Sequence, residues 1–155
     1  GLDHATAALC AEALGLMSTM LEATVEYTKQ RVQFGVPISS FQALQHRMAE
    51  MFIELELARS MAYLAAMTLD GNDPVARRRG ISAAKAQIAK SGRFVGQNAI
   101  QLHGGIGMSE EYKVGHYFKR MTLVERLLGD ADYHLARFIA ARGAKSEAGT
   151  PAAVG

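Results

Sequence analysis

Residues 44–69 read LQHRMAEMFIELELARSMAYLAAMTL. Leu44, Met48, Met51, Leu55, Ala58, Ala62, Ala65 and Leu69 recur in alternating steps of four and three. That spacing returns a side chain to the same face of an α-helix turn after turn. Held over about seven turns, the seam predicts a long helix packed nearly parallel to its neighbours, as in a bundle.

The flanks agree. Upstream, Leu9, Ala13, Leu16, Met20, Ala23 and Tyr27 form a similar stripe, predicting a helix over residues 2–32 that stops at QFGVP, where Gly35 and Pro37 interrupt it. Downstream, GNDP at 71–74 ends the central helix, with Asp73 placed to cap the next one and Pro74 at its first position. That third helix is expected from Val75 to Leu102, with Ile81, Ala84, Ile88, Val95, Ala99 and Leu102 facing inward. Small residues crowd it (Ala83, Ala84, Ala86, Ala89, Gly92, Gly96), so its neighbours are expected to pack closely.

A short fourth helix is expected from Glu110 to Thr122 with Ser109 as N-cap. A fifth, starting at Val124 or Gly129, carries Leu127, Ala131, Leu135 and Phe138. No strand is expected. The reading is an all-α, up-and-down bundle of four longer helices plus a short one over residues 1–143, followed by an Ala/Gly/Ser-rich flexible tail, 144–155.

The 155 residues have the length of one domain, and the net charge of +2 gives no reason to expect nucleic acid or a membrane surface. No uninterrupted apolar run approaches the roughly 18 residues of a membrane span, so no membrane insertion is expected. Arg77, Arg78 and Arg79 read as a solvated helix face. The single cysteine, Cys10, reads as a buried small hydrophobe suited to a reducing compartment, and a cytoplasmic location is expected. The chain starts at Gly1 within a helical pattern, the expectation being a piece of something longer.

Motifs for chemistry are few. The five histidines show no metal-ligand spacing, no Glu-x-x-His pairs occur, and no G-x-S-x-G elbow or P-loop is present, so no metal site is expected. What stands out is QLHGGIG at 101–107, with Gly104, Gly105 and Gly107 at the end of a helix. Such clustering marks either special dihedrals or a close backbone approach. A cofactor site and a plain packing turn both remain open on that feature.

Three stretches in register go further: YTKQRVQFGVPISSFQALQHRMAEM (27–51), QLHGGIG (101–107) and LLGDADYHLAR (127–137). Together they resemble the C-terminal domain of the flavin-dependent acyl-CoA dehydrogenases, over nearly the whole chain. The resemblance implies FAD as cofactor and the glycine segment of one subunit against the adenosine-diphosphate half of a flavin held mainly by another. It assigns Arg31 to the pyrophosphate, where a planar fork of donors suits phosphate oxygens. Gln33, Phe34, Phe41, Gln42, Gln101, Gly104 and Gly105 are implied as further flavin contacts, and Asp130 and Asp132 as contacts near the adenosine end or ribityl chain. Each has a plainer reading: Arg31 and Asp130 as helix caps, Phe34 and Phe41 as core aromatics, Gln101 as a solvent-facing side chain.

The family takes a proton from the carbon α to a thioester and passes the β hydride to the flavin. Counting onward from QLHGGIG places Leu128 where the glutamate base usually stands, followed by Gly129. The alternative glutamate position falls on Ala5, with Thr6 where an arginine is common. The catalytic base is thus unassigned, with Glu125, Asp130 and Glu12 as weak substitutes. Asp3 and Gly129 match substrate-contact positions. The family's N-terminal helical domain and middle β-domain have no counterpart in this sequence. The implied partners are acyl-CoA, electron-transfer flavoprotein as electron acceptor, and copies of the chain in a dimer or tetramer. The alternatives are a non-catalytic subunit of a heteromeric dehydrogenase and a cofactor-free helical interaction module.

Overall fold

The computed structural model describes residues 1–104, 113–127 and 129–149, with side chains considered as far as residue 143. Among the described residues are five α-helices: α1 (Leu2–Gln30), α2 (Gln42–Leu69), α3 (Pro74–Leu102), α4 (Lys113–Arg126) and α5 (Ala131–Gly149). This is the expected all-α bundle, with α4 the short member. Helix α5 runs on to Gly149, so the stretch expected as tail begins as helical backbone. Ser109, Glu110, Gly105, Gly107 and Leu128 lie outside the described residues.

Helix α3 is the centre, packing against each of the other four helices. Asp73 caps it as its sequence implies, its Oδ1 accepting from the backbone N–H groups of Val75 and Ala76 at 3.0 and 3.2 Å, ahead of Pro74. The tight turn before Asp73 makes α2 and α3 antiparallel. Gly80 lies beside Thr68, Ser91 bonds Glu54, and Asn98 bonds Arg47. The first turns of α2 therefore face the last turns of α3.

The small residues of α3 do what their spacing implies. A Cβ on Gly92 would stand 2.2 Å from the Met121 terminal methyl, and one on Gly96 would stand 2.7 Å from the Phe118 ring. Side chains of α4 occupy the space those glycines leave. Ile81, Ala84, Ile88, Val95 and Ala99 are buried together with Met51, Leu55, Ala58 and Ala65 of α2.

Two expected stripes are corrected. In α1 the buried face is Thr6, Cys10, Ala13, Met17, Met20, Leu21, Thr24 and Thr28, whereas Leu9, Leu16, Ala23 and Tyr27 are half-buried. The threonines tolerate burial because their hydroxyls donate to backbone carbonyls of the preceding turn, as Thr24 does to Met20 at 2.7 Å. In α5 the expected stripe is split: Ala131 and Phe138 are half-buried and Leu135 is exposed, while His134 and Ala141 are buried, and Leu127 lies before the helix. Helix α1 is long and apolar enough to cross a membrane by length and composition, yet here Ala13, Met17 and Met20 are wholly enclosed by the bundle.

The expectation of no strand is also corrected. Between α1 and α2, Val32–Gln33 (β1) pairs antiparallel with Val36–Pro37 (β2). Phe34 and Gly35 at the tip have φ of +54° and +76°, the signs a two-residue type I′ hairpin requires. A three-residue 3-10 turn, Ile38–Ser40, then leads into α2. QFGVP does stop the helix, but by folding back on itself.

Candidate functional site

The hairpin sits at one end of the bundle, beside the C-terminus of α3. Between them is an open cleft of about 460 Å³, lined chiefly by Tyr27, Arg31, Gln33, Arg47, Gln101 and Gly104. Four residues singled out from two separate stretches of sequence meet here: Arg31, Gln33, Gln101 and Gly104. Arg31 is the C-cap residue of α1 through its backbone, its N–H bonding the Tyr27 carbonyl at 2.9 Å. Its exposed guanidinium makes no hydrogen bond with the described residues, so capping is a backbone role and the side chain is left for the cleft.

Gly104 follows the C-cap of α3 with φ of +60°, closing the helix in the left-handed conformation that favours glycine. Its N–H bonds the Gln101 carbonyl, and nothing crowds the place of a Cβ. Buried His103 stacks on Tyr27 with ring centroids 4.5 Å apart and donates Nδ1–H to the Ala99 carbonyl at 2.7 Å, fixing the cleft floor.

Phe34 is 90% exposed at the hairpin tip, which rules out the core reading, and meets Phe41 edge-on at 6.4 Å. An aromatic ring held in solvent at positive φ is locally unfavourable and points to a contact outside this chain. Gln42 opens α2, exposed and adjacent to the lining residue Ala43.

Sequence reading missed Arg47. Its Nη1 donates to Gln101 Oε1 at 2.7 Å and to Asn98 Oδ1 at 3.1 Å. The signal was available: a tight α2–α3 turn puts the first turns of α2 opposite QLHGG.

Asp130 and Asp132, also expected as flavin contacts, lie away from this cleft. Asp130 and Asp132 border the middle of α3 near Ala89, Lys90 and Arg93, eight to twelve positions before Gln101. At ~1.5 Å per residue that is roughly 12–18 Å along the helix. Asp130 Oδ1 accepts the Tyr133 N–H at 2.9 Å, which makes it the N-cap of α5. Glu125 pairs with Arg93. Glu12 takes a two-pronged contact from Arg120 at 2.5 and 2.9 Å, and that contact holds its carboxyl below the usual range. Each carboxylate suggested as a substitute base already has a structural partner.

Asp3 and Gly129 are linked through Arg137, which bonds the first and lines a cavity with the second. Arg137 bonds Asp3 at 2.8 Å and, with Leu2, Thr6, Gly129 and Tyr133, lines a second cavity of about 340 Å³. Gly129 has φ of +100°, and a Cβ there would come 2.3 Å from the Tyr133 ring, so only glycine fits. Behind this turn lies a second residue that the sequence reading passed over. Buried Lys85 donates Nζ–H to the carbonyls of Glu125 and Gly129 at 2.8 and 3.0 Å. Burial lowers its pKa, an effect partly offset by Cys10, Glu125 and Asp130 nearby.

Residues 1–144 match the family model described as "Acyl-CoA dehydrogenase, C-terminal domain". The chain belongs to the acyl-CoA dehydrogenase family, as its C-terminal domain. It is 39% identical over 137 residues to acyl-CoA dehydrogenase IpdE2 of Mycolicibacterium smegmatis, a match spanning 87% of this chain and 41% of that protein. Among solved structures it superposes on the Tcur3481-Tcur3483 steroid ACAD G363A variant with TM-score 0.89 and 32% identity, over 94% of this chain and 40% of that one. The ChsE4-ChsE5 complex from Mycobacterium tuberculosis gives TM-score 0.82 at 30% identity, over 97% and 39%. The chain thus spans about two-fifths of the length of these three relatives.

Proposed function

We propose that this chain is the flavin-sharing C-terminal domain of an FAD-dependent acyl-CoA dehydrogenase that desaturates the α,β bond of an acyl-CoA thioester. One observation carries the reading: Arg31, Arg47, Gln101 and Gly104 converge on one cleft, from α1, α2 and the end of α3. Two guanidinium groups and an amide present a donor-rich surface matched to a diphosphate. The residues fit the group. When bound, FAD accepts the hydride from the substrate β carbon. The chain's own part is to hold the pyrophosphate through Arg31 and Gln101 and to offer the exposed Phe34 edge beside it.

The separation of this cleft from Asp130 and Asp132 supports a flavin shared between subunits, one face of the domain serving each of two cofactors. Association has a visible basis. Phe52, Ile53, Leu57, Leu64 and Met67 of α2 and Ile139 of α5 are exposed apolar side chains, more than an isolated domain has reason to display. Dimers or tetramers follow, with electron-transfer flavoprotein as the acceptor and the cytoplasm as the compartment.

A second reading has its own support. Leu128 stands at the glutamate position, the described carboxylates nearby are engaged, and one relative of known structure is a complex of two differently named chains. In that version this subunit binds flavin and a partner subunit supplies the base. Anaerobic bleaching of the full-length protein by a panel of acyl-CoA thioesters separates the two. Rapid bleaching of the protein alone supports the homomeric enzyme, and bleaching only with the second subunit supports the heteromer. Purification without any bound flavin contradicts both.

A further inference from the structure

We propose that Arg47 is a positioning residue of the flavin cleft, orienting the Gln101 amide as a donor and adding a second cation for the pyrophosphate. The inference rests on the FAD reading above and names a residue that no motif had assigned.

Hydrogen-bond capacity sets the orientation of the Gln101 amide. A guanidinium only donates, whereas a glutamine side chain has one accepting and one donating end. Arg47 Nη1 lies 2.7 Å from the Gln101 side chain, so the end facing it must be the carbonyl Oε1. The amide NH₂ is then the free end. Without Arg47 the amide could turn over and present its oxygen, which repels a phosphate.

Arg47 is itself held. The same Nη1 donates to Asn98 Oδ1 at 3.1 Å, and Asn98 Nδ2 donates to the Phe94 carbonyl at 2.8 Å. This relay runs from the α3 backbone through Asn98 and Arg47 to Gln101. It uses one nitrogen of the fork and leaves the others for a ligand. Arg47 is half-buried between α2 and α3.

The test uses the full-length protein stripped of flavin and titrated with FAD at low and high salt, comparing wild type with Arg47→Met, Arg47→Lys and Arg31→Ala. Arg47→Met is expected to weaken FAD binding about 10- to 100-fold and to flatten its salt dependence, the scale of one charge-assisted contact plus a misoriented amide. Arg47→Lys keeps the charge and is expected to recover the salt dependence but only part of the affinity, because an ammonium lacks the planar fork. It also carries the test if Arg47→Met does not fold. Wild-type affinity in Arg47→Lys and Arg47→Met, with loss in Arg31→Ala, overturns this inference and leaves the FAD reading intact. Wild-type affinity in all three variants overturns both.

Discussion

The ammonium of Lys85 and the carbonyl oxygen of Gly129 lie 3.0 Å apart, tying the middle of α3 to the turn that enters α5. The same Nζ also holds the Glu125 carbonyl near the end of α4, where a cation complements the helix dipole. One buried side chain therefore fixes the backbone on both sides of residue 128. Lys85→Met keeps the bulk but leaves two inward carbonyls without this donor, at about 1–3 kcal/mol each. Lys85→Glu loses the same donor and also sets a buried carboxylate against those carbonyls, so it is expected to cost more than Lys85→Met. Urea unfolding of the purified protein checks the order. A Lys85→Glu variant as stable as wild type would show that the tie is idle.

Cys10 gives a pH dependence of definite sign. Burial pushes its thiol up to about 11 from 9.0, against a smaller opposite pull from Lys85. The folded state therefore keeps a proton that the unfolded state loses. Its contribution is whole below pH 9 and is lost as pH rises through 11. Lys85, with its pKa lowered, acts in the opposite sense in the alkaline range, so the comparison must isolate the thiol. Between pH 9 and 11 wild type should lose about 2–3 kcal/mol relative to Cys10→Ala. Parallel stability curves for the two proteins would contradict this.

Close packing of α3 on α4 predicts a graded cost. At Gly96 an added methyl meets a Phe118 ring edge, and Gly96→Ala should destabilise by about 1–3 kcal/mol. At Gly92 the obstacle is the flexible end of Met121, so Gly92→Ala paired with Met121→Leu should recover much of its loss. Thermal melts of the single and paired variants provide the comparison, and full additivity would refute direct contact.

The outward apolar residues of α2 predict an association surface. Leu64 and Met67 are 57% and 72% exposed. Leu64→Glu with Met67→Glu should shift the full-length protein to a smaller species in sedimentation velocity at unchanged helix content. An unaltered sedimentation coefficient would place the subunit contact elsewhere.

Much of the fold was legible because its signals are local. The Leu44–Leu69 seam and the Asp73–Pro74 cap each act within a few residues of themselves. The buried face of α1 was not, because Thr24 and Thr28 look polar until their hydroxyls are seen bonded to the preceding turn. Leu135 of α5 misled for the converse reason, since it is exposed while its neighbour His134 is buried. At the site, Arg31, Gln101 and Gly104 were read from motifs in register, while Arg47 and Lys85 act through long-range partners 54 and 44 positions away. Such partners emerge only when antiparallel helices are laid side by side.

The most direct measurement is the FAD dissociation constant of the full-length protein carrying Arg31→Ala, set against Arg78→Ala on the exposed face of α3. Both substitutions remove one exposed positive charge, but only Arg31 lines the cleft. Arg31→Ala is expected to weaken FAD binding by about 10-fold or more while Arg78→Ala matches wild type. Equal FAD affinity in the two variants would contradict the assignment of this cleft to the flavin pyrophosphate.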